Sequence, residues 1–237
     1  MKMKVNFTPM NKEIEMVVPC PKPAKEYMPE WFKDMELFLG GKKQYEGGFL
    51  SNKTVKLCMP FGDTFSTGYI QETWCDLYIN VNDEDRLEYH FPTSPELVGF
   101  RNNHPDGSMK IPEQFCNQEC NWRQPWSPVL PKGYSMLVTH PLNRMDLPFH
   151  TLSGIVDCDN FVVERFPNNL PFYVYKGFTG LIPAGTPMFQ MIPIKRDSWS
   201  SSISNFDETN AAKNVHNVRK KFYGAYRDTF WNKKDYK

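Results

Sequence analysis

Short runs of β-forming residues, each ended by turn residues, constrain the fold of this 237-residue chain more than any other feature. The run at residues 74–81 is typical, because its odd-numbered positions are all apolar and would share one face of a strand. The predicted strands are Thr54–Met59, Thr73–Val81, Leu87–Phe91, Leu97–Phe100, Tyr134–Thr139, Ser153–Val156, Phe161–Glu164, Phe172–Tyr175, Phe178–Ile182 and Met188–Ile194. About ten strands with hairpin-length links predict a mainly β protein with two packed antiparallel sheets, a β-sandwich or jelly roll.

The predicted β core spans residues 54–199. Two regions of the chain lack the regular strand pattern, one before this core and one within it. Prolines between Pro9 and Pro29 exclude long helices and central strands, so residues 1–53 are predicted to form an irregular arm. Prolines and glycines also interrupt residues 101–133, which are therefore predicted to form a long loop within the core.

The C-terminal region has the periodicity of a helix. Apolar residues at intervals of three and four predict one amphipathic helix over residues 205–230. Its apolar stripe consists of Val215, Val218, Phe222 and Tyr226. This stripe is expected to pack on the β core, with a neighbouring subunit as the alternative surface.

Charge and hydropathy exclude several classes of partner. Lys and Arg number 28 and Asp and Glu number 27, so the formal net charge of +1 predicts no nucleic-acid partner. The N-terminal residues are interrupted by charges, and no apolar run approaches the roughly 18–20 residues of a membrane span. We therefore expect a cytoplasmic protein without signal peptide or membrane partner, either a monomer or a small homo-oligomer.

The six cysteines are too sparse for a disulfide scaffold in a chain this long. They are expected to remain reduced and mostly buried. Cys116 and Cys120 have the spacing of a metal half-site, but no second pair follows at zinc-finger spacing, so two thiols are the preferred interpretation.

One short motif has the spacing of a metal site. His104 and Asp106 have the His-x-Asp spacing of a facial triad for Fe(II), and His150 would be the third ligand. Arg165 or Arg196 would then bind a cosubstrate carboxylate. The competing interpretation is a plain turn, since Pro, Asp and Gly are common turn residues. Fe(II) is expected only under this alternative; otherwise no cofactor is predicted.

Residues 134–159 hold the densest set of polar groups that could line a pocket. The candidate ligand-binding residues are His140, Asn143, Arg144, His150 and Asp157. Asp157 and Asp159 would share one strand face, where they would bind a cation or face solvent. Ser153 lacks the neighbours of a nucleophile, so the set predicts binding and does not define a reaction.

Three motifs together carry a resemblance to a family. They are the segment from Trp126 to Arg144, Ser153–Asp157, and the turn-strand segment Ile182–Arg196. Over about residues 54–199 the chain resembles an uncharacterised all-β family of marine phages and ocean metagenomes. That resemblance implies an all-β fold and brings no activity or site residues.

Two functions follow as expectations. The first is a binding or structural module, phage-encoded and present in the host cytoplasm, because viral jelly-roll proteins are often structural or adhesive. The alternative is a mononuclear Fe(II)/2-oxoglutarate-type oxygenase built on a jelly roll. The sequence leaves open whether the protein is an enzyme.

Overall fold

The computed structural model describes residues 3–82, 86–92, 94–100, 110–159, 169–219 and 224–237. Strands account for 32% of the residues and helices for 19%, which confirms the predicted mainly β class. Within the described ranges, no helix combines the length and the apolarity needed to cross a bilayer.

The described strands are β1 (Asn6–Pro9), β2 (Lys22–Pro23), β3 (Tyr45–Glu46), β4 (Phe49–Leu50), β5 (Tyr69–Glu72), β6 (Leu77–Val81), β7 (Leu87–His90), β8 (Val98–Phe100), β9 (Cys120–Arg123), β10 (Trp126–Val129), β11 (Tyr134–Thr139), β12 (Phe149–Thr151), β13 (Gly154–Val156), β14 (Asn169–Val174), β15 (Gly180–Ile182) and β16 (Pro187–Lys195). The described α-helices are α1 (Lys12–Val17), α2 (Glu30–Asp34), α3 (Met59–Thr64), α4 (Glu208–Arg219) and α5 (Ala225–Thr229). Two short 3-10 helices span Ala24–Tyr27 and Val55–Leu57.

All strand pairings among these elements are antiparallel. The largest sheet has the order β13-β11-β16-β5-β2, and a second sheet has the order β12-β14-β9-β8. A three-stranded sheet, β15-β6-β7, and the pairs β1-β10 and β3-β4 complete the described set.

The two largest sheets share one apolar core. Trp122 of β9 is fully buried and stacks on Phe172 of β14, with ring centroids 3.8 Å apart. Its Nε1 donates a hydrogen bond to Thr151 Oγ1 at 3.0 Å, and this hydroxyl donates to the carbonyl oxygen of Met188 in β16 at 2.7 Å. A buried polar bridge therefore joins the sheets across the core, as in the predicted sandwich.

The chain divides into two compact units that interleave in sequence. The first comprises residues 1–24 and 68–196, and the second comprises residues 25–67 and 197–237. The boundary expected from sequence between residues 53 and 54 falls inside the second unit. Within that unit, four rings form a cluster of edge-to-face and tilted contacts: Trp31, Phe32, Phe61 and Phe65.

Three local predictions need correction. The predicted strand Thr54–Met59 contains a 3-10 helix and the first residue of α3, because Pro60 occupies the first turn of that helix. The predicted loop 101–133 contains β9 and β10 in its described part, since prolines flank β9 without interrupting it. The predicted arm contributes β1, which pairs with β10, and β2, which pairs with β5. The predicted strand Phe161–Glu164 lies outside the described residues.

The C-terminal region contains two helices where the sequence predicted one. Gly224 precedes α5 with a φ of 78°, a left-handed conformation that an uninterrupted helix cannot contain. Val215 and Tyr226 are each 47% exposed in the single chain. Phe222 and the side chain of Val218 lie outside the described part, so the packing of the stripe stays a prediction.

Candidate functional site

A groove of about 310 Å3 lies on the first unit, beside the N-terminal end of α1. Its walls come from three places in the chain that are distant in sequence: the β1–α1 junction, residues 74–96, and the turn between β9 and β10. The lining residues are Met10, Asn11, Ile14, Trp74, Pro95, Glu96, Arg123, Gln124 and Pro125.

The lining of the groove is largely apolar, and the polar atom of its largest ring, Trp74, is already hydrogen-bonded. Trp74 Nε1 donates a hydrogen bond to the carbonyl oxygen of Pro95 at 3.0 Å, so the indole needs no further acceptor. Ile14 packs in a small buried cluster with Val18 and Trp126, and Trp74 packs against that cluster. The Trp74 indole is thus fixed by one hydrogen bond and by packing against this cluster.

Backbone contacts fix the walls. Met10 N donates to the carbonyl oxygen of Pro125 at 3.1 Å, which joins the end of β1 to the β9–β10 turn. Asn11 accepts a hydrogen bond from Ile14 N at 2.8 Å and thereby caps α1. Both bonds involve the β1–α1 junction and fix its backbone beside the groove.

One charged pair lies at the rim. Arg123 Nε donates to Glu96 Oε2 at 2.9 Å, and Arg123 Nη1 donates to Asn169 Oδ1 at 2.6 Å. The Arg123 side chain is 31% exposed and that of Glu96 is 52% exposed. Water therefore reaches this pair, and the groove combines an apolar floor with a polar, hydrogen-bonded edge.

The histidines that the sequence selected lie together elsewhere on the first unit. His140 and His150 stack with ring centroids 4.6 Å apart. His140 Nδ1 accepts a hydrogen bond from Thr151 N at 3.3 Å, so Nε2 carries the proton and donates to the carbonyl oxygen of Arg144 at 3.0 Å. Burial, aided by His150, lowers the pKa of His140 to about 4. His140 is therefore neutral at pH 7, with both ring nitrogens engaged inside the protein.

Asn143 and Arg144 belong to the turn beside these histidines. Asn143 has a φ of 59°, and Arg144 N donates to the carbonyl oxygen of Pro141, which closes the turn. Arg144 Nε and Nη2 both bind the carboxylate of Asp146, at 2.8 and 2.7 Å. Although partial burial opposes it, this pairing lowers the pKa of Asp146. The guanidinium is thus occupied by an internal partner.

Asp157 belongs to a different cluster, centred on Arg196. Asp157 Oδ1 lies 3.1 Å from Arg196 Nη1 and accepts a hydrogen bond from Ser135 Oγ. Asp159 also pairs with Arg196 and accepts a hydrogen bond from Gly133 N at 2.8 Å. The two carboxylates that were expected to bind a cation or face solvent share one guanidinium, and of the two Asp157 also faces solvent, with its side chain 64% exposed. Arg196 is correspondingly engaged by protein carboxylates.

The Arg196 cluster predicts an acid-sensitive contribution to stability. Hydrogen bonds from Arg196, and then from Gly133 N, lower the pKa of Asp159 below its usual value near 3.9. The folded pKa is depressed, so the contribution is present above about pH 4 and is lost as the pH falls through the folded pKa. We expect Arg196→Met to lower the urea midpoint more at pH 7 than at pH 3.

The matched control is Lys12→Met, because Lys12 makes an exposed ion pair with Glu15 on α1. It should change the midpoint little at either pH. Equal losses for Arg196→Met at pH 7 and pH 3 would show that the arginine acts through packing and not through the carboxylates.

The iron hypothesis cannot be placed on the structure. His104, Asp106 and Arg165 lie outside the described residues, and His150 stacks on His140. Within the described ranges, no group of three or more His, Cys, Asp or Glu side chains is arranged to hold a metal ion. The facial triad stays a prediction.

The cysteines are all free thiols in the structure. Cys116, Cys120 and Cys158 are buried, Cys75 is half-buried, and Cys20 and Cys58 are exposed, so the expectation that they are mostly buried is wrong. Burial raises the pKa of Cys158 to about 11, so this thiol is protonated at pH 7.

Sequence reasoning missed the groove. The available signal was Trp74, a large ring on the polar face of the predicted strand Thr73–Val81. In the structure Trp74 lies between β5 and β6. Comparison with protein-family models and with curated proteins finds no match for this sequence. The groove therefore has to be interpreted from its own chemistry.

Proposed function

We propose that this protein is a binding module that holds an apolar side chain of a protein partner in the groove over Trp74. The observation that carries the proposal is the indole itself, which lines an open groove with its only polar atom already bonded to Pro95. A surface of this kind gains free energy by excluding water from an apolar ligand.

The chemistry of the lining favours binding over catalysis. Its nine described lining residues include no serine, cysteine, histidine or lysine, so this lining holds no nucleophile paired with a base. The resemblance to marine phage proteins supports the same class of function by analogy, as viral jelly-roll proteins are often structural or adhesive.

The hydrogen bonds of the lining favour an apolar ligand over a sugar or nucleotide. Arg123 already binds Glu96 and Asn169, and the Asn11 side-chain oxygen caps α1. A ligand with many hydroxyl groups would find few free donors here and would lose its hydration. The volume of about 310 Å3 is at the small end of ligand sites and suits one large side chain.

The test uses amino-acid amides as probes. We expect N-acetyl-tryptophanamide and N-acetyl-leucinamide to shift the Trp74 indole N–H resonance in 15N-edited NMR spectra, assigned with Trp74→Phe. N-acetyl-serinamide should leave it unchanged. Met10→Ser removes apolar lining and should weaken binding of the apolar amides by about tenfold, because several buried methylene equivalents are lost.

Met16→Ser is the matched control, since Met16 lies nearby on α1, is 76% exposed and does not line the groove. It should leave the affinity unchanged. The proposal fails if the apolar amides do not move the Trp74 resonance, or if the serine amide moves it equally.

A further inference from the structure

Arg123, at the rim of the groove over Trp74, is held in one position by three neighbours. Its guanidinium lies against the backbone of β8, because a Cβ built at Gly99 would be 2.7 Å from Nη2 and 2.8 Å from Cζ. Glu96 Oε2 lies 2.8 Å from Nη2 and accepts from Nε at 2.9 Å, and Asn169 Oδ1 accepts from Nη1 at 2.6 Å. The guanidinium is therefore fixed before any ligand binds, which lowers the entropic cost of using it.

These contacts leave part of the guanidinium unused. An arginine side chain has five N–H donors, and the contacts with Glu96 and Asn169 use one each on Nε, Nη1 and Nη2. Among the described residues, the second N–H of each terminal nitrogen has no acceptor. Arg123 lines the groove and its side chain is 31% exposed, so these two donors are within reach of a ligand bound there.

The charge at the rim favours a neutral acceptor. The carboxylate of Glu96 balances the charge of Arg123, and its side chain is 52% exposed. A second carboxylate at the same guanidinium would meet Glu96 as a like charge, which opposes binding. A carbonyl oxygen has two lone pairs and accepts both N–H groups without that repulsion. The rim therefore fits a peptide carbonyl better than the carboxylate at the end of a chain.

We propose that Arg123 makes the groove specific for peptides: it donates to a backbone carbonyl beside the apolar side chain that lies over Trp74. The partner then presents an internal segment of its chain, and neither a C-terminus nor a free hydrocarbon fits as well. The guanidinium replaces the water that this carbonyl loses on binding. This inference rests on the proposed function and adds to it the chemical class of the ligand and the residue that selects it.

The experiment compares two probes on the full-length chain, each titrated while the Trp74 indole N–H resonance is followed in 15N-edited NMR spectra. N-acetyl-tryptophanamide has the ring and the peptide carbonyls, whereas 3-ethylindole has the ring alone. We expect Arg123→Gln to weaken binding of the amide by about tenfold, because a hydrogen bond to a charged group is lost. It should change the affinity for 3-ethylindole by less than about twofold.

Gly99→Ala tests the same contact with the arginine still present. The nearest atoms to the new methyl group belong to the end of the flexible Arg123 side chain, so the chain can fold while the guanidinium is displaced. This variant should also weaken the amide selectively. Lys12→Met is the matched control, because Lys12 is an exposed cation on α1 that does not line the groove. It should leave both affinities unchanged, and circular dichroism checks that each variant folds.

Equal losses of affinity for the two probes in Arg123→Gln would show that the arginine only shapes the groove. That result, or an unchanged affinity for the amide, would overturn the inference while the proposed function stands. Tighter binding of N-acetyl-tryptophan than of its amide would also overturn it, because the groove would then select a terminal carboxylate. If neither probe moves the Trp74 resonance, the proposed function fails and this inference fails with it.

Discussion

Trp122→Ala is expected to destabilise the β core by about 3–5 kcal/mol, the largest effect of any single substitution considered. Trp122 is fully buried, stacks on Phe172 and meets the edge of Phe149 with ring centroids 5.0 Å apart. Removing the indole leaves a cavity between these rings, and Thr151 Oγ1 loses its donor.

Chemical unfolding followed by circular dichroism measures this loss. The control is Tyr78→Ala, which removes a ring from a strand but at a position 43% exposed on β6. It should cost less than about 1 kcal/mol. Similar losses for the two variants would mean that the core can collapse around the missing indole.

Gly68→Ala is expected to lower the free energy of unfolding by about 2–4 kcal/mol, the second largest effect. Gly68 has a φ of 76°, and a Cβ built there would lie 2.2 Å from the carbonyl oxygen of Met191. Since that oxygen belongs to the backbone of β16, the clash can be relieved only by moving a central strand.

The control for this prediction is Gly177→Ala. Gly177 has nearly the same φ, 78°, but a Cβ there would meet nothing within 4 Å. It should show only the cost of the left-handed conformation, about 1–2 kcal/mol. If both substitutions lower the melting temperature equally, the close approach to Met191 contributes nothing and the prediction for Gly68 is wrong.

Strand periodicity predicted much of the core. The predicted strand Tyr134–Thr139 has the bounds of β11, and Met188–Ile194 lies within β16. In the run at residues 74–81, Leu77 and Ile79 are buried as their alternation indicated. These predictions are confirmed because a period of two reports directly which face of a strand is buried.

Short segments rich in proline were harder to assign. Residues 120–123 were placed in a loop, yet β9 lies between β8 and β14 and carries Trp122 into the core. Four residues are too few for a recognisable period. Their conformation is set by pairing with strands that are distant in sequence.

The structure brings some of the candidate site residues together and separates one from the others. His140, Asn143, Arg144 and His150 were grouped by sequence proximity, and the structure brings both histidines and the turn together. Asp157 was grouped with them, but it follows β13 directly and contacts Ser135 and Arg196 instead.

By itself, the sequence determined the mainly β class, the strands with clear alternation and the helical nature of the C-terminal region. Those properties depend on local backbone preference and on which side chains avoid water, and both can be assessed along a few residues. The tertiary structure alone decided which strands pair, where Arg196 binds, and how Ile14, Trp74 and Arg123 come to line one groove. Such contacts join residues many positions apart, and their free energy exists only once the intervening chain has been ordered.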